Sequence, residues 1–486
     1  MSAVLDTTSS ADELVAAYPR RKQALIILFL ASFMDLLDTT IVNVALPPLQ
    51  RELHASYSAV QWVIAGYAMS FALLLITGGR LGDIVGRKRM FLIGVAGFTL
   101  ASALCGAAQN PEMLITARVI QGVGSALMIP QVLSCIQVMF APKERGAAVG
   151  MFGALAGVAT VAGPIFGALL TEGDLFGLGW RAIFWINVPV GIVTYVMASA
   201  VVPESRSPHA LRLDLVGVVL TTGGMFLLIY PLIQGRDAGW PAWTFVMMAA
   251  ALPVFLLFLW YERRKTARDG SPLVVLKLFR NRTYSAGLTV SLIFMSAMGG
   301  YFLVQTLYLQ QGLGMSVLRA GLTGIPFSIS TSFCAGMGAA VLVPKFGRRV
   351  VSAGALLLIA GFAILMWTFS HYGTALASWQ IGPGLIVAGA GFGLIVAPLF
   401  DFVLADVPVE DAGSASGVVE AVQQVAFAVG VALVGVLFFN LVGTGNPAGF
   451  THGMVWTLWA GIAAVTVVFA VTFLLPRQVA HHLDEA

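Results

Sequence analysis

Fourteen long apolar segments, joined by short polar connections, constrain this 486-residue chain more than any other feature. A helix needs about 20 mostly apolar residues to cross the hydrocarbon core of a bilayer, and each segment is long enough. Only 10% of the residues are charged, against about 25% in a soluble domain. The sequence therefore predicts an all-α polytopic membrane protein. Its spans are predicted at 24–47, 59–78, 90–108, 113–138, 146–170, 182–201, 213–234, 243–262, 284–311, 318–342, 350–370, 379–406, 412–441 and 451–476.

The distribution of positive charge predicts the orientation of the chain. Most of the 27 Lys and Arg residues lie in connections on the side of the N-terminus, and basic connections face the cytosol. Both termini are therefore expected in the cytosol. Similar Gly-Arg turns at 82–89 and 343–349 predict two related six-helix halves. The expected divisions are a tail (1–23), a six-helix bundle (24–201), two inserted helices with basic loops (202–283), a second six-helix bundle (284–476) and a tail (477–486).

Two carboxylates interrupt the first apolar segment. Asp35 and Asp38 are three residues apart, so they share a helix face, and charge at this depth costs about 2.5–3.5 kcal/mol or more. Arg118 in the fourth segment is expected to pair with Asp35 or Asp38, or with a substrate or a proton-linked water network, and Gln121 shares its face. We interpret the acids and Arg118 as a proton-coupling site in a transport pathway. The alternative is a static brace between helices.

The connection after the second segment reads GRLGDIVGRK and predicts a cytosolic gate. Asp83 lies among cations at the membrane edge, where it can accept hydrogen bonds from Arg or cap a helix N-terminus. The alternative is a basic loop that only sets orientation. The gate residues are predicted to be Gly79, Asp83, Gly86, Arg87 and Lys88.

The fifth and thirteenth segments carry two further signals. Small residues in the fifth segment allow close helix approach, and a proline bends the helix; Gly157, Gly163, Pro164 and Gly167 form this predicted motif. Glu420 in the thirteenth segment is a candidate second proton site or cation ligand, unless it lies among the headgroups. We predict a substrate cavity that includes Asn43, Trp62, Gln121, Tyr301, Gln305 and Gln424.

Six motifs occur in order along the chain: LDTTIVNVALP (37–47), GRLGDIVGRK (79–88), RVIQGVGSA (118–126), AGPIFG (162–167), WRAIFWINVPVG (180–191) and YLQQGLGMSVLRAG (308–321). Together with the 6 + 2 + 6 layout, they resemble the fourteen-span drug/proton antiporters of the major facilitator superfamily. The resemblance implies two bundles around a central cavity and alternating access driven by protons. It places Asp38 at the first-span acid, Asp83 at the gate acid and Arg118 at the fourth-span Arg, with Gly163 and Pro164 in the antiporter motif. Glu420 departs from the pattern, because Asn is frequent there.

We therefore expect a proton-coupled exporter of small amphiphilic or cationic drugs, in which proton and substrate compete for one site. Alternatives are an exporter or importer of an endogenous metabolite or siderophore on the same fold, and a scaffold or sensor without flux. The sequence suggests no enzyme, metal centre, disulfide framework, nucleotide site or nucleic-acid partner, so no cofactor is expected. The expected partners are protons, a small molecule and the bilayer, and a monomer in a bacterial plasma membrane is expected.

Overall fold

The computed structural model describes residues 18–140, 151, 155, 158, 159, 162–207, 212–373, 376–405, 407, 412–442 and 447–477. Every regular element in these ranges is helical. The first half contains α1 (Arg21–Glu52), α2 (Tyr57–Val85), α3 (Arg87–Gly106), α4 (Pro111–Met139), α5 (162–172) and α6 (Asn187–Val201). A short helix, Ala182–Trp185, leads into α6, and 3₁₀ turns occupy Leu175–Gly177 and Gly179–Arg181.

Two long helices follow, α7 (Leu215–Asp237) and α8 (Ala242–Asp269), and then a 3₁₀ turn at Leu276–Arg280. The second half contains α9 (Arg282–Leu307), α10 (Val317–Thr323), α11 (Ile325–Met337), α12 (Arg349–Tyr372), α13 (Ser378–Leu404), α14 (Ala412–Val442) and α15 (Pro447–Thr472). π-helical turns at Tyr308–Gly312 and Gly338–Leu342 extend α9 and α11, and a short helix, Val343–Phe346, precedes α12.

Local sequence signals explain where several helices begin. Ser56, Asn110, Asn281 and Ser316 each stand just before a helix and accept a hydrogen bond from a backbone N–H of its first turn. These caps satisfy amide groups that have no partner inside the helix. Gly86 separates α2 from α3 with a φ of 128°, a conformation that only glycine adopts without strain.

Twelve helices within the described ranges are long and apolar enough to cross a membrane. Two predicted spans fall outside that set. Part of 146–170 lies outside the described residues, and 318–342 folds as α10, α11 and a π-helical turn, each too short to qualify alone. The structure thus gives a multi-pass helical membrane protein, and the count of fourteen stays a prediction.

Helix packing defines two bundles and the surface between them. In the first, α4 packs against α2 and α3, while α6 packs against α1 and α3. In the second, α13 packs against α11 and α12, and α9 packs against α14 and α15. The bundles meet where α2 lies along α14 and where α1 approaches α9 and α10. The paired helices α7 and α8 join this boundary, because α7 contacts both α2 and α14.

Candidate functional site

A buried ion pair joins the first and fourth helices. The Asp38 side chain is fully buried and that of Arg118 is 2% exposed, and Arg118 Nη1 lies 2.5 Å from Asp38 Oδ2. Gln121 Nε2 and Asn187 Nδ2 donate to Asp38 Oδ1 at 3.0 and 2.9 Å. Both carboxylate oxygens are therefore satisfied, as a buried charge requires. The predicted partnership of Asp38, Arg118 and Gln121 is present in the structure.

Arg118 is satisfied beyond this ion pair. Its Nε donates to the Val63 carbonyl at 3.1 Å, and its Nη1 donates to Gln121 Oε1 at 2.8 Å. Its guanidinium carbon also lies 4.2 Å from the centre of the Tyr67 ring. A desolvated cation gains from a π face as well as from acceptors, so Arg118 retains several favourable contacts besides Asp38.

Asp35, one turn earlier in α1, has partners of a different kind. The hydroxyls of Tyr67 and Ser125 both donate to Asp35 Oδ1, and the side chain is buried. These two donors are neutral. The Ser125 hydroxyl can also rotate to accept a hydrogen bond from a protonated carboxyl group. Thus α1 holds one acid against a cation and the other among neutral partners.

Glu420 brings a third carboxyl group to the boundary between the bundles. It lies on α14, where Gln424 donates to it one turn further on. Glu420 is also close enough to Asp35 for their charges to repel each other. An acid of the second half therefore lies within electrostatic range of Asp35, and its role as a second proton site or cation ligand stays a prediction.

A cavity of about 240 Å³ lies between the bundles. Its walls come from α1, α5, α9, α10, α11 and α13. The lining residues are Thr40, Asn43, Val44, Pro164, Phe302, Gln305, Thr306, Leu309, Gln310, Ala320, Gly321, Gly324, Phe327, Ser328 and Phe392. Asn43 and Gln305 thus stand where the sequence predicted them. No charged side chain is among the described residues of this wall, so Asp35, Asp38 and Glu420 do not line the cavity.

Four other side chains predicted for the cavity lie elsewhere. Tyr301 packs in the core of the second half, with ring centres 4.9 Å from Phe362 and 5.5 Å from Phe302. Trp62 points to α7, 6.1 Å from the Tyr230 ring. Gln121 belongs to the ion-pair network, and Gln424 binds Glu420. None of these four side chains lines the cavity, which corrects the prediction for Trp62, Tyr301, Gln121 and Gln424.

The glycine motif in the fifth segment lies where α5 meets its neighbours. A Cβ built at Gly163 would overlap the Thr40 side chain, and one at Gly167 would stand 2.9 Å from Ile41 Cγ1. A Cβ at Gly321 of α10 would stand 2.9 Å from the Pro164 carbonyl oxygen. Small residues therefore allow α5 to lie close to α1 in the first bundle and to α10 in the second. Gly157 lies outside the described residues.

The predicted gate forms a compact, hydrogen-bonded corner at the predicted cytosolic end. Asp83 Oδ1 accepts from Arg87 Nη2 at 2.8 Å, one turn away across Gly86. Lys88 donates its backbone N–H to Glu204 and its ammonium to the Ser199 carbonyl. Gly79 lies in ordinary contact distance of Pro130 on α4. Asp83 thus binds Arg87, as predicted, and the whole corner is attached to the end of α6.

Part of the polar network was not predicted from the sequence. Asn187 lies inside the WINVPVG motif but had no predicted role, and neither Tyr67 nor Ser125 was predicted to bind an acid. A polar side chain in an apolar span was the available signal for Asn187 and Ser125. Tyr67 gave no signal of this kind, because tyrosine is common in such helices.

A second buried polar cluster was also missed. Asp214 and Glu262 are 3% and 0% exposed, and they accept the backbone N–H groups of Leu273 and Val274. Arg80, at the end of α2, donates to backbone carbonyls in the same connection, including Ser271 at 3.2 Å. This cluster attaches the connection after α8 to the first bundle.

The fold and the buried network define a polytopic transporter built from two helical bundles. Residues 28–431 match the sequence model of the Major Facilitator Superfamily, and the chain belongs to this family. It is 47% identical over 436 residues to a probable actinorhodin transporter of Streptomyces coelicolor, covering 90% of this chain and 75% of the relative. It is 35% identical to the tetracenomycin C resistance and export protein of Streptomyces glaucescens, covering 85% and 75%.

A third relative and two structures extend the comparison. The puromycin resistance protein pur8 of Streptomyces alboniger is 34% identical, covering 90% of this chain and 84% of the relative. A bacterial homologue of the human lysosomal transporter Spinster has a TM-score of 0.66 at 17% identity, covering 94% of this chain and 98% of the other. A peptide transporter has a TM-score of 0.67 at 14% identity, covering 95% and 99%. These structures share the fold, and the family and relatives are transporters, not enzymes.

Proposed function

We propose that this protein is a proton-coupled exporter of small amphiphilic compounds that works by alternating access. The observation that carries the proposal is the pair of buried acids on α1, one bound to Arg118 and one to neutral hydroxyls. An acid inside the membrane indicates function by default, because it costs free energy that packing alone does not require. The printed names of the relatives, which include an export protein and resistance proteins, support export.

The two acids on α1 have different roles in this proposal. Protonation of Asp38 would leave Arg118 as a buried cation without its counter-ion, which costs several kcal/mol. Protonation of Asp35 leaves no cation unpaired, since its partners are the hydroxyls of Tyr67 and Ser125. Asp35 therefore carries the exchanged proton most directly, and Asp38 with Arg118 holds α1 against α4.

The charge on Glu420 links protonation to the movement of the bundles. Asp35 on α1 and Glu420 on α14 repel each other when both carry a charge. A proton on either carboxyl group removes this repulsion and favours approach of the two helices. Two protonation states then favour different conformations, which is the thermodynamic requirement for coupling.

The remaining parts of the proposal are predictions made from the amino-acid sequence. We propose fourteen spans in a 6 + 2 + 6 order, a bacterial plasma membrane location and both termini in the cytosol. The proton gradient supplies the energy without a cofactor, and the working unit is a monomer. The corner formed by Asp83 and Arg87 is the cytosolic gate that opens and closes during the cycle.

The test is substrate-driven proton release from proteoliposomes under an imposed pH gradient, with a pH dye in the lumen and a panel of amphiphilic compounds. We expect Asp35→Asn and Glu420→Gln to reduce the coupled proton flux at least 10-fold. Glu52→Gln is the matched control, because this acid is exposed and pairs with Arg181 at the predicted outer end. If the Asp35→Asn variant exchanges protons as fast as wild type, the proton assignment is wrong. If no compound moves protons in wild type, proton-coupled export itself is refuted.

A further inference from the structure

The wall of the central cavity has a chemistry that selects among possible substrates. On the side of the second bundle, Phe302, Phe327 and Phe392 form a cluster with ring centres 5.6–6.1 Å apart. On the side of the first bundle, α1 contributes Thr40 and Asn43. A bound molecule therefore meets aromatic rings on one side and polar groups on the other.

Asn43 and Gln305, two amide side chains of the cavity wall, have donors or acceptors that bind no partner in the described part of the chain. Asn43 donates from Nδ2 to the Thr39 carbonyl at 3.2 Å, which leaves its Oδ1 acceptor facing no partner in the described part of the chain. The side-chain amide of Gln305 makes no hydrogen bond within the described residues, although it lines the cavity. Both amides are half-buried. Such an amide gains when a ligand supplies its missing partners, and it can both donate and accept. These two side chains fit carbonyl, hydroxyl or amide groups on a ligand.

The carboxylates that could hold a cation are engaged elsewhere. Asp38 is bound by Arg118, Gln121 and Asn187, Asp35 is bound by two hydroxyls, and Glu420 accepts from Gln424. No acid is among the described lining residues. A permanent cation that entered this cavity would lose its hydration without gaining a counter-ion, and phenyl rings alone offset only part of that cost.

We propose that the cavity binds an uncharged, flat aromatic compound that carries carbonyl or hydroxyl groups, and that Gln305 with the three phenyl rings sets this preference. The inference rests on the proposed export function, because it names the class of substrate for the same cavity. An engineered cavity of about 150 Å³ holds benzene. The 240 Å³ found here therefore accommodates more than one fused ring in this conformation. The sequence predicted amphiphilic or cationic drugs, and this preference retains only the uncharged compounds among them.

The test uses two probes with the same ring system, a dihydroxynaphthoquinone and the same ring carrying a trimethylammonium arm. Binding is measured on wild-type protein in lipid nanodiscs without a pH gradient, and transport is measured separately in proteoliposomes. We expect the neutral probe to bind at least 10-fold more tightly than the cationic probe. Gln305→Leu should weaken binding of the neutral probe about 3–10-fold, which corresponds to the loss of one hydrogen bond. Phe392→Leu should weaken it by a similar factor.

Tyr301→Phe is the matched control, because this neighbouring residue lies in the core and not on the wall. Its binding constants should equal those of wild type. Gln305→Glu places a carboxylate on the wall, so this variant should gain affinity for the cationic probe and lose it for the neutral one.

The two measurements separate failure of this inference from failure of the proposed function. Tighter binding of the cationic probe to wild type, or equal effects of Tyr301→Phe and Gln305→Leu, would overturn the inference while leaving proton-coupled export intact. Binding of the neutral probe without any proton flux would support the inference and refute proton coupling. The absence of binding by both probes would overturn the inference outright.

Discussion

The Asp38–Arg118 pair predicts a large and non-additive effect on stability. Arg118 is 2% exposed, so Asp38→Asn leaves a cation that cannot reach water. Breaking a buried ion pair by removing one partner costs about 3–5 kcal/mol. We expect a loss of about 3 kcal/mol, the lower end of that range, because Gln121 and the Val63 carbonyl still accept from Arg118.

The matching change, Arg118→Gln, leaves a buried carboxylate and should cost a similar amount. The double variant Asp38→Asn/Arg118→Gln removes both charges and keeps two amide groups that can bond to each other. Its loss should be about 1 kcal/mol, the contribution of an ordinary hydrogen bond. The double variant is therefore expected to be more stable than either single variant.

A thiol-reactive fluorescent dye measures this effect on protein purified in detergent. Cys105 and Cys135 are buried and react only when the helices separate. At about 2 °C per kcal/mol, each single variant should lower the apparent Tm by about 6 °C and the double variant by about 2 °C. Arg181→Gln, which removes a partly exposed cation, should lower it by less than about 2 °C. A double variant that loses as much as the two single variants combined would refute the argument that these charges act as a unit.

Two further predictions concern the contacts between helices. Gly163→Val should reduce transport at least 10-fold while the protein remains folded, because the new side chain would overlap Thr40 and separate α5 from α1. Gly382→Ala is the control in the same transport assay, because nothing lies within 4 Å of a Cβ at this position. Arg80→Ala should speed proteolysis and hydrogen exchange near Ser271 without abolishing expression, since Arg80 donates to that carbonyl; unchanged exchange would show that the contact does not hold the connection.

The parts of the site that depend on charge could be predicted from the sequence. Few residues in these spans are ionisable, and a buried charge must find a partner, so the sequence alone indicated that Arg118 pairs with Asp35 or Asp38. The structure shows that the partner is Asp38. The close approach at Gly163 was predictable for a related reason, because small residues with a proline indicate backbone contact.

The direction in which a side chain points was not predictable in the same way. Trp62 and Tyr301 lie on helices that are apolar on every side, so no polar face marks the side that meets the cavity. The arrangement of the helices decides it, and the structure turns Trp62 to α7 and Tyr301 into the core. Arg80 was expected among the cytosolic cations, yet it is 8% exposed and binds backbone carbonyls of a distant connection. A contact between residues 191 positions apart leaves no local signal.

If the protein is the proton-coupled exporter proposed above, the separation of the acids from the cavity wall explains how one proton mechanism can serve substrates of different chemistry. Thr40 and Asn43 line the cavity, while Asp35 and Asp38 lie on the same helix but are not among its lining residues. Proton and substrate then compete for the position of α1 and not for the same atoms. A change of side chain at Gln305 or among the phenyl rings can alter which compound binds without disturbing the acids. The converse also holds, because a change at Asp35 removes the coupling while the shape of the cavity is kept.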